Sequence, residues 1–283
     1  MAANSKRIGF VDHKLDNYHA NTFLKIIRDT LKDRGYVVTG CMANDEAAGK
    51  AWAAKNNVPY FASPEALNEQ VDCYMILAPS NPEAHMDLCR KVVPFGKITY
   101  VDKTFAPDLE TAKQIFELAD QHRVKLQTTS ALRYTEVQKK AAELGGKDAI
   151  KHMVAWGGGS SFGEYAIHPV ELTVSCMGAD ATSLMRRGTG AYSQLLVNFG
   201  AERTATINVY TAGDTPFAAA LTTAAKTQYV SVNGATLFID TCAGILDFFD
   251  AGQPKIDRAE SLMIRRILDA AGDPSATQSF TKL

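Results

Sequence analysis

The first 130 residues alternate between short apolar runs and amphipathic segments, and this alternation restricts the possible fold more than any other feature. The apolar runs are 7–11, 36–42, 73–78, 98–101 and 124–129. Apolar residues at helical spacing lie between them, at 20–34, 45–55, 82–93 and 107–122. Strands separated by helices of this length predict βαβ units, and therefore a doubly wound parallel sheet with helices on both faces.

The pattern changes after Gly146. A strand at 150–156 precedes a glycine-rich loop at 157–163 and a helix at 166–176. Closely spaced strand patterns at 194–199, 203–210 and 229–232 predict a mostly antiparallel open sheet, and two helices, 242–251 and 258–271, end the chain. The sequence therefore predicts an α/β protein with a Rossmann-like domain at 1–130 and a second α/β domain at 131–283.

Charge and hydropathy exclude several functional classes. The chain has 30 Lys and Arg against 31 Asp and Glu, so it lacks the basic excess of a nucleic-acid-binding protein. No apolar run approaches the roughly 18 residues of a membrane span. Residues 1–7 lead directly into a strand without an apolar leader, which predicts a cytoplasmic protein. The five cysteines are scattered without a C-x-x-C pair, as expected of buried thiols rather than of disulfides or a zinc site.

Three motifs follow one another along the chain. Residues 77–85 read LAPSNPEAH, and residues 96–104 read GKITYVDKT. Residues 157–178 begin with three glycines and continue as Glu164-x-x-x-His168-x-x-Glu171. Together these motifs resemble the Gfo/Idh/MocA family of sugar-type oxidoreductases, in which the first is a turn after a Rossmann strand. The second occupies the place of the family's Glu-Lys-Pro signature, and the third precedes a helix of the second domain.

This resemblance implies an oxidoreductase that uses NAD or NADP and acts on a small carbohydrate-like substrate, a sugar or a polyol. It also implies a homodimer or homotetramer. Lys103 and His168 would be the acid–base residues, with Glu164 about one turn before the histidine. These roles are chemically reasonable, because oxidising an alcohol requires removal of the hydroxyl proton. An imidazole suits that step, and a lysine cation lowers the pKa of the hydroxyl.

The same resemblance assigns residues around the reacting groups. Arg133 and Tyr134 would line the substrate pocket, although a capping pair at a domain hinge is an equal alternative. Glu171 would orient the histidine ring or bind a sugar hydroxyl. The predicted cofactor contacts are Asp12, His13, Pro79, Ser80, Asn81 and His85.

The turn after the first strand departs from a dinucleotide fingerprint. G-x-G-x-x-G requires glycines for the tight turn and for close approach to the pyrophosphate, but residues 12–21 contain none. Asp12 and Asp16 place carboxylates near a helix N-terminus that would otherwise attract a phosphate. The second strand also lacks the usual ribose-binding acid, since Met42 or Ala43 stands there. Either the dinucleotide binds unusually, or the fold has been kept and the cofactor lost.

Other hypotheses therefore stay open. A non-redox enzyme on the same scaffold, such as a glycoside hydrolase, lyase or isomerase, could use the same lysine and histidine. A non-catalytic sensor or partner subunit is a third possibility. Residues 12–19 also contain Asp12, His13, Asp16 and His19, which could bind a divalent metal or simply form a polar loop that caps the helix. Because the spacing matches no standard ligand set, we predict no metal.

Overall fold

The computed structural model describes residues 6–283, which divide into two units. The first comprises the chain to Thr129 together with Phe238–Ile256, and the second comprises Ser130–Leu237 together with Asp257–Leu283. Residues 1–5, to which part of the leader prediction refers, lie outside the described residues.

The first unit has a five-stranded parallel sheet of order β2-β1-β3-β4-β5. Its elements up to residue 129 are β1 (Lys6–Asp12), α1 (Tyr18–Lys25), β2 (Tyr36–Ala43), α2 (Glu46–Asn56), α3 (Pro64–Gln70), β3 (Cys73–Ile76), α4 (His85–Val92), β4 (Thr99–Val101), α5 (Leu109–Gln121) and β5 (Leu126–Thr128). The central strands are almost entirely buried, as continuous apolar runs in a parallel sheet require. The predicted Rossmann-like sheet is confirmed.

Two local features differ from the predicted helices. The helix predicted over 20–34 ends its α-helical part at Lys25 and continues as one π turn, Ile26–Thr30, and one 3-10 turn, Lys32–Arg34. Gly35 then takes φ 75°, a left-handed conformation that stops the helix. Helix α3 was not predicted, although Ser63 caps its N-terminus and proline is its first residue, which are standard start signals.

The second unit begins with a helix and then forms the second sheet. The elements between residues 130 and 237 are α6 (Glu136–Glu143), β6 (His152–Gly158), α7 (Phe162–Tyr165), α8 (Ile167–Met177), β7 (Ala181–Arg187), β8 (Tyr192–Phe199), β9 (Thr204–Tyr210), β10 (Ala218–Thr222) and β11 (Thr227–Ser231). The strands alternate buried and partly exposed residues, the pattern of a sheet with one covered face.

The C-terminal helices do not belong to one unit, and this corrects the predicted division into 1–130 and 131–283. Helix α9 (Leu237–Ala251) packs almost entirely in the first unit, where the fully buried Cys242, Ile245 and Phe248 join the core around β1. Sequence order suggested the second domain, but the apolar face of α9 is buried against the first sheet's core.

The remaining elements complete the second unit. Helix α10 (Arg258–Gly272) and the short strand β12 (Thr281–Lys282) belong to it. The seven strands have the order β11-β10-β6-β9-β8-β7-β12, with β6 and β9 parallel and the other pairs antiparallel. A mostly antiparallel second sheet is therefore confirmed. Among residues 6–283, none of the helices combines the length and hydropathy that a bilayer crossing demands.

Candidate active site

Most of the predicted site residues lie at the carboxyl edge of the first sheet. In an open α/β sheet, ligands bind at this edge, where the strand order reverses. Here the reversal lies between β1 and β3, because the chain moves from β1 outward to β2 and then returns to β3. Asp12 is the last residue of β1 and therefore lies at this point.

The Asp12 carboxylate is buried and turned into its own loop. It accepts hydrogen bonds from the Lys14 backbone N–H at 2.9 Å and from the Asn17 side-chain amide at 2.8 Å. The Ala78 backbone, just beyond β3, also hydrogen-bonds to it. Burial raises the pKa of Asp12 above its usual value, although these donors oppose the shift.

Asn17 links this carboxylate to the start of α1. Its amide donates to Asp12, while its side-chain oxygen accepts from the Ala20 backbone N–H at 3.0 Å and caps the helix. The residue of this polar loop that caps the helix is therefore Asn17, and Asp12 holds it in place.

These residues do not fit the pyrophosphate of a dinucleotide bound as at a glycine fingerprint. In that fingerprint, free backbone amides and a helix N-terminus face the phosphates. Here the Asp12 carboxylate already takes the amides of Lys14 and Ala78, and the Asn17 side chain takes an amide of α1. The Asp12 carboxylate and the Asn17 side chain thus use backbone donors of the kind that a phosphate at this turn would need.

The end of β2 has no carboxylate placed for a ribose either. Asp45 caps α2, where its side chain accepts from the Ala48 N–H at 3.0 Å. Asn44 follows β2. Its side-chain nitrogen donates to Asp87 at 3.1 Å, and its side-chain oxygen accepts from Lys91 at 2.6 Å. Asp45 therefore serves the helix.

The second group at this edge follows β4. Lys103 is only 6% exposed, and its Nζ donates to the Pro79 carbonyl oxygen at 3.1 Å. Its neighbour Asp102 is also buried and accepts from the Lys103 backbone N–H at 2.8 Å and from the Tyr100 hydroxyl at 3.1 Å. The peptide bond between Lys103 and Thr104 is cis.

Asp102 also forms a hydrogen-bonded pair with His19, which the sequence did not predict. His19 Nδ1 lies 2.5 Å from Asp102 Oδ2, and both side chains are almost completely buried. Burial alone would raise the pKa of Asp102, but the charges of His19 and Lys103 and the hydrogen bond from His19 bring it below the usual value. The sequence could not predict this pairing, because the two residues are 83 positions apart in the chain.

The predicted cofactor residues after β3 have diverse environments. Pro79 is buried and offers its carbonyl to Lys103, whereas Ser80 is exposed. Asn81 donates to Glu83 at 3.0 Å.

His85, which the sequence predicts as a cofactor contact, is fully buried. Its Nδ1 lies 3.0 Å from the Phe105 carbonyl oxygen and its Nε2 lies 2.6 Å from that of Leu77. The imidazole thus links the segment after β3 to the segment after β4.

The residues proposed as an alternative metal site separate in the structure. Asp12 faces its own loop and His19 faces Asp102, whereas Asp16 is exposed. His13 is half-buried, and its Nδ1 is enclosed without a hydrogen-bond partner among residues 6–283. Within that part of the chain, no three His, Cys, Asp or Glu side chains are grouped to bind a metal.

In the second unit, the glycine loop positions His168. A Cβ on Gly157 would lie 2.8 Å from Pro169, and one on Gly159 would lie 1.9 Å from the Tyr165 ring. Glycine is therefore needed here because α7 and α8 pack directly against the end of β6. His168 is 8% exposed, between the rings of Tyr165 and Phe217.

Glu164 lies on the separate short helix α7 and is half-buried, one element before His168. The sequence pattern placed it one turn before the histidine. Because Ala166 joins α7 to α8, the two side chains do not belong to one continuous helix.

Arg133 and Glu171 form a buried ion pair network with Glu260 of α10. The Arg133 guanidinium contacts Glu260 and lies 3.9 Å from Glu171, while Glu171 also accepts from the Ser130 backbone N–H. Burial alone would lower the pKa of Arg133, but the two carboxylates outweigh it and raise the pKa. Tyr134 is half-buried beside this network. The expected capping role belongs to Thr135, which caps α6.

The sequence matches one family model. Residues 16–130 match a model described as "Oxidoreductase family, NAD-binding Rossmann fold". No curated protein matches the sequence.

Solved structures share the whole architecture at low identity. A probable dehydrogenase from Thermotoga maritima superimposes with a TM-score of 0.83 at 12% identity and covers 98% of each chain. A scyllo-inositol dehydrogenase from Lactobacillus casei gives 0.82 at 12% identity, over 100% of this chain and 99% of that one. GenD2 from gentamicin A biosynthesis, solved in complex with NAD, gives 0.80 at 13% identity, over 100% and 98%. Identities this low establish a shared fold.

Proposed function

We propose that the chain is an oxidoreductase of the Gfo/Idh/MocA type that acts on a sugar or polyol, since residues 16–130 match that family's model. Lys103 and His168 hold and move the proton of a substrate hydroxyl, and Glu164 assists the histidine. Because the turn after β1 does not fit a pyrophosphate, no step of this proposal passes through a nicotinamide.

The environment of Lys103 is the observation that carries the proposal. A lysine directly after a strand is usually a solvated surface charge, but Lys103 is 6% exposed at the edge where such sheets bind ligands. Burying an ammonium is costly unless it is hydrogen-bonded, and among residues 6–283 the Lys103 ammonium donates to the Pro79 carbonyl oxygen alone. Two N–H bonds of the ammonium therefore remain for a substrate oxygen.

We propose His168 as the acid–base residue of the second unit, because its motif resembles that of the family. Its position after a glycine loop and between two aromatic rings restricts the orientation of the imidazole. We propose Arg133, Tyr134 and Glu171 as the substrate-binding segment. Since Arg133 and Glu171 are held in the ion pair network, we expect them to fix the backbone of this segment, whereas the Tyr134 side chain contacts the substrate.

The solved structures support the substrate class. One neighbour is an inositol dehydrogenase, and others are described as myo-inositol dehydrogenases, so a cyclic polyol is a reasonable first substrate. The matched family model is described as NAD-binding, and one structural neighbour was solved in complex with NAD.

Two measurements test the proposal. Denaturing the purified protein and recording released absorbance at 260 nm detects a bound nucleotide, and fluorescence titration with NADH and NADPH detects weaker binding. Turnover is then measured over a panel of inositols and sugars. We expect His168→Ala and Lys103→Met to reduce turnover by roughly 10²- to 10⁴-fold, the usual contribution of acid–base groups.

A matched control is Lys113→Ala, since Lys113 is an exposed lysine of the same unit. This variant is expected to retain full turnover. Unchanged turnover in His168→Ala, with the fold intact by circular dichroism, would remove that histidine from the mechanism.

A non-redox enzyme on the same scaffold is the second candidate, and the Asp12 carboxylate favours it. That carboxylate uses the backbone donors a pyrophosphate would need. If neither NADH nor NADPH binds at millimolar concentration, the oxidoreductase proposal fails and this candidate replaces it.

A further inference from the structure

We propose that His19 and Asp102 form a general acid–base dyad that exchanges a proton with the carbon next to a substrate carbonyl, without a nucleotide. The substrate class is a hydroxy ketone or hydroxy aldehyde, which rests on the proposed action on sugars. The inference is carried by the His19–Asp102 pair, the buried ammonium of Lys103, which is the next residue in the chain, and the closed turn at Asp12.

The hydrogen bonds determine which nitrogen of His19 is available. An ionised carboxylate only accepts hydrogen bonds, so His19 Nδ1 must be the donor to Asp102 Oδ2 at 2.5 Å. In the neutral ring, Nε2 then carries the lone pair. Within residues 6–283, Nε2 has no hydrogen-bond partner, and it is not among the fully enclosed polar atoms. Nε2 is therefore the atom that can accept a proton.

Several groups fix the dyad in this arrangement. Asp102 is held through its other oxygen by the Tyr100 hydroxyl and the Lys103 N–H, at 3.1 and 2.8 Å. The His19 ring lies edge-on to Phe23 and Phe238, with centroids 5.7 and 5.1 Å away. A carboxylate that orients an imidazole and stabilises its cation is the arrangement used by general bases in many hydrolases.

Lys103 supplies the second requirement, a positive charge for a developing oxyanion. It follows Asp102 directly in the chain, and its buried ammonium has N–H bonds beyond the one that Pro79 accepts. An ammonium in a water-poor site stabilises an enolate oxygen more strongly than it would in water.

The proposed step is balanced without an oxidant. His19 Nε2 takes the proton from the carbon that bears a hydroxyl and adjoins the carbonyl. The C–H electron pair forms the carbon–carbon double bond, and the carbonyl π pair moves to oxygen, where Lys103 neutralises it. The imidazolium then returns a proton to the same carbon and regenerates the ketone or aldehyde. In heavy water the returned proton is a deuteron.

Deuterium exchange tests the step in the full-length protein. Dihydroxyacetone and D-fructose are incubated with the protein in heavy water without nucleotide, and the loss of carbon-bound proton signal is followed by NMR. We expect exchange of at least one probe to exceed that caused by free imidazole at the same concentration. Exchange of neither probe above that level would overturn the proposal.

Variants separate a catalytic dyad from a structural pair. His19→Gln should lower exchange by roughly 10²- to 10⁴-fold, and Asp102→Asn by on the order of 100-fold. His19→Gly should recover exchange when free imidazole is added, which a merely structural histidine would not show. His122→Gln, at the end of α5, is the matched control and should exchange at the full rate.

Thermal unfolding of each variant confirms that it is folded. If Asp102→Asn does not fold, His19→Gln and the imidazole rescue still decide the result. Full exchange in folded His19→Gln would overturn the dyad. Because the assay contains no nucleotide, its outcome is independent of the titration that tests the oxidoreductase proposal.

Discussion

Replacing Arg133 by methionine would show whether this residue mainly holds the second unit together or mainly binds substrate. The structure places its guanidinium between Glu260 and Glu171, with only 11% of the side chain exposed. Methionine keeps the aliphatic stem and removes the charge, so the change isolates the ion pairs.

Most of the stability that Arg133→Met is expected to lose comes from Glu171. Its carboxylate is 3% exposed and would keep the Ser130 N–H as a partner while losing the neighbouring cation. Glu260 is 19% exposed and can regain water in part. Removing one partner of a buried pair costs about 3–5 kcal/mol, and we expect the lower end, about 3 kcal/mol.

Urea unfolding followed by circular dichroism measures this loss. At about 2–4 °C per kcal/mol for a unit of this size, the melting temperature should fall by roughly 6–12 °C. Adding Glu171→Gln should restore part of the loss, because a neutral amide still accepts from Ser130. A loss below about 1 kcal/mol together with a raised KM would refute the structural role and indicate substrate binding instead.

Three further predictions concern the first unit and the thiols. Asn17→Ala should lower stability by about 1–2 kcal/mol in urea unfolding, because it removes the cap of α1 and a donor to the Asp12 carboxylate; an unchanged midpoint would contradict this. Burial alone would raise the pKa of Asp250, but hydrogen bonds from a lysine, an arginine and a tyrosine lower it to about 2. Its stabilising contribution is therefore present above pH ~4 and lost as the pH falls towards ~2, and Asp250→Asn should flatten the stability profile in that window. All five cysteines are buried, and burial raises the pKa of Cys41 to about 12, so Ellman's reagent should label no thiol at pH 8 and five after denaturation.

The fold was largely predictable because its signals are local. Alternating apolar runs and amphipathic segments predict a parallel sheet independently of the loop sequences. Gly35 likewise marks the end of the helical segment that begins with α1. The turn after β1 was also interpretable, since a segment without glycine cannot form the fingerprint. What the sequence could not show was how Asp12 is used, because its donors come from three places along the chain, Lys14, Asn17 and Ala78.

The site was predictable only in part. Lys103 and His168 follow from motif resemblance, and the structure places each in a restricted environment. His85 follows the same kind of motif but is enclosed with both ring nitrogens on backbone carbonyls, which only tertiary packing could reveal. Position in a motif does not distinguish a side chain that faces a ligand from one that supports it.

The sequence by itself determined the strand and helix order, the two kinds of sheet and the absence of a glycine cradle, because each depends on residues close together in the chain. The tertiary structure decided the rest. It placed α9 with the first unit, paired His19 with Asp102, and enclosed Arg133 between carboxylates. Those outcomes depend on which buried groups meet across long separations, and burial makes an unpaired charge costly wherever it lies along the chain.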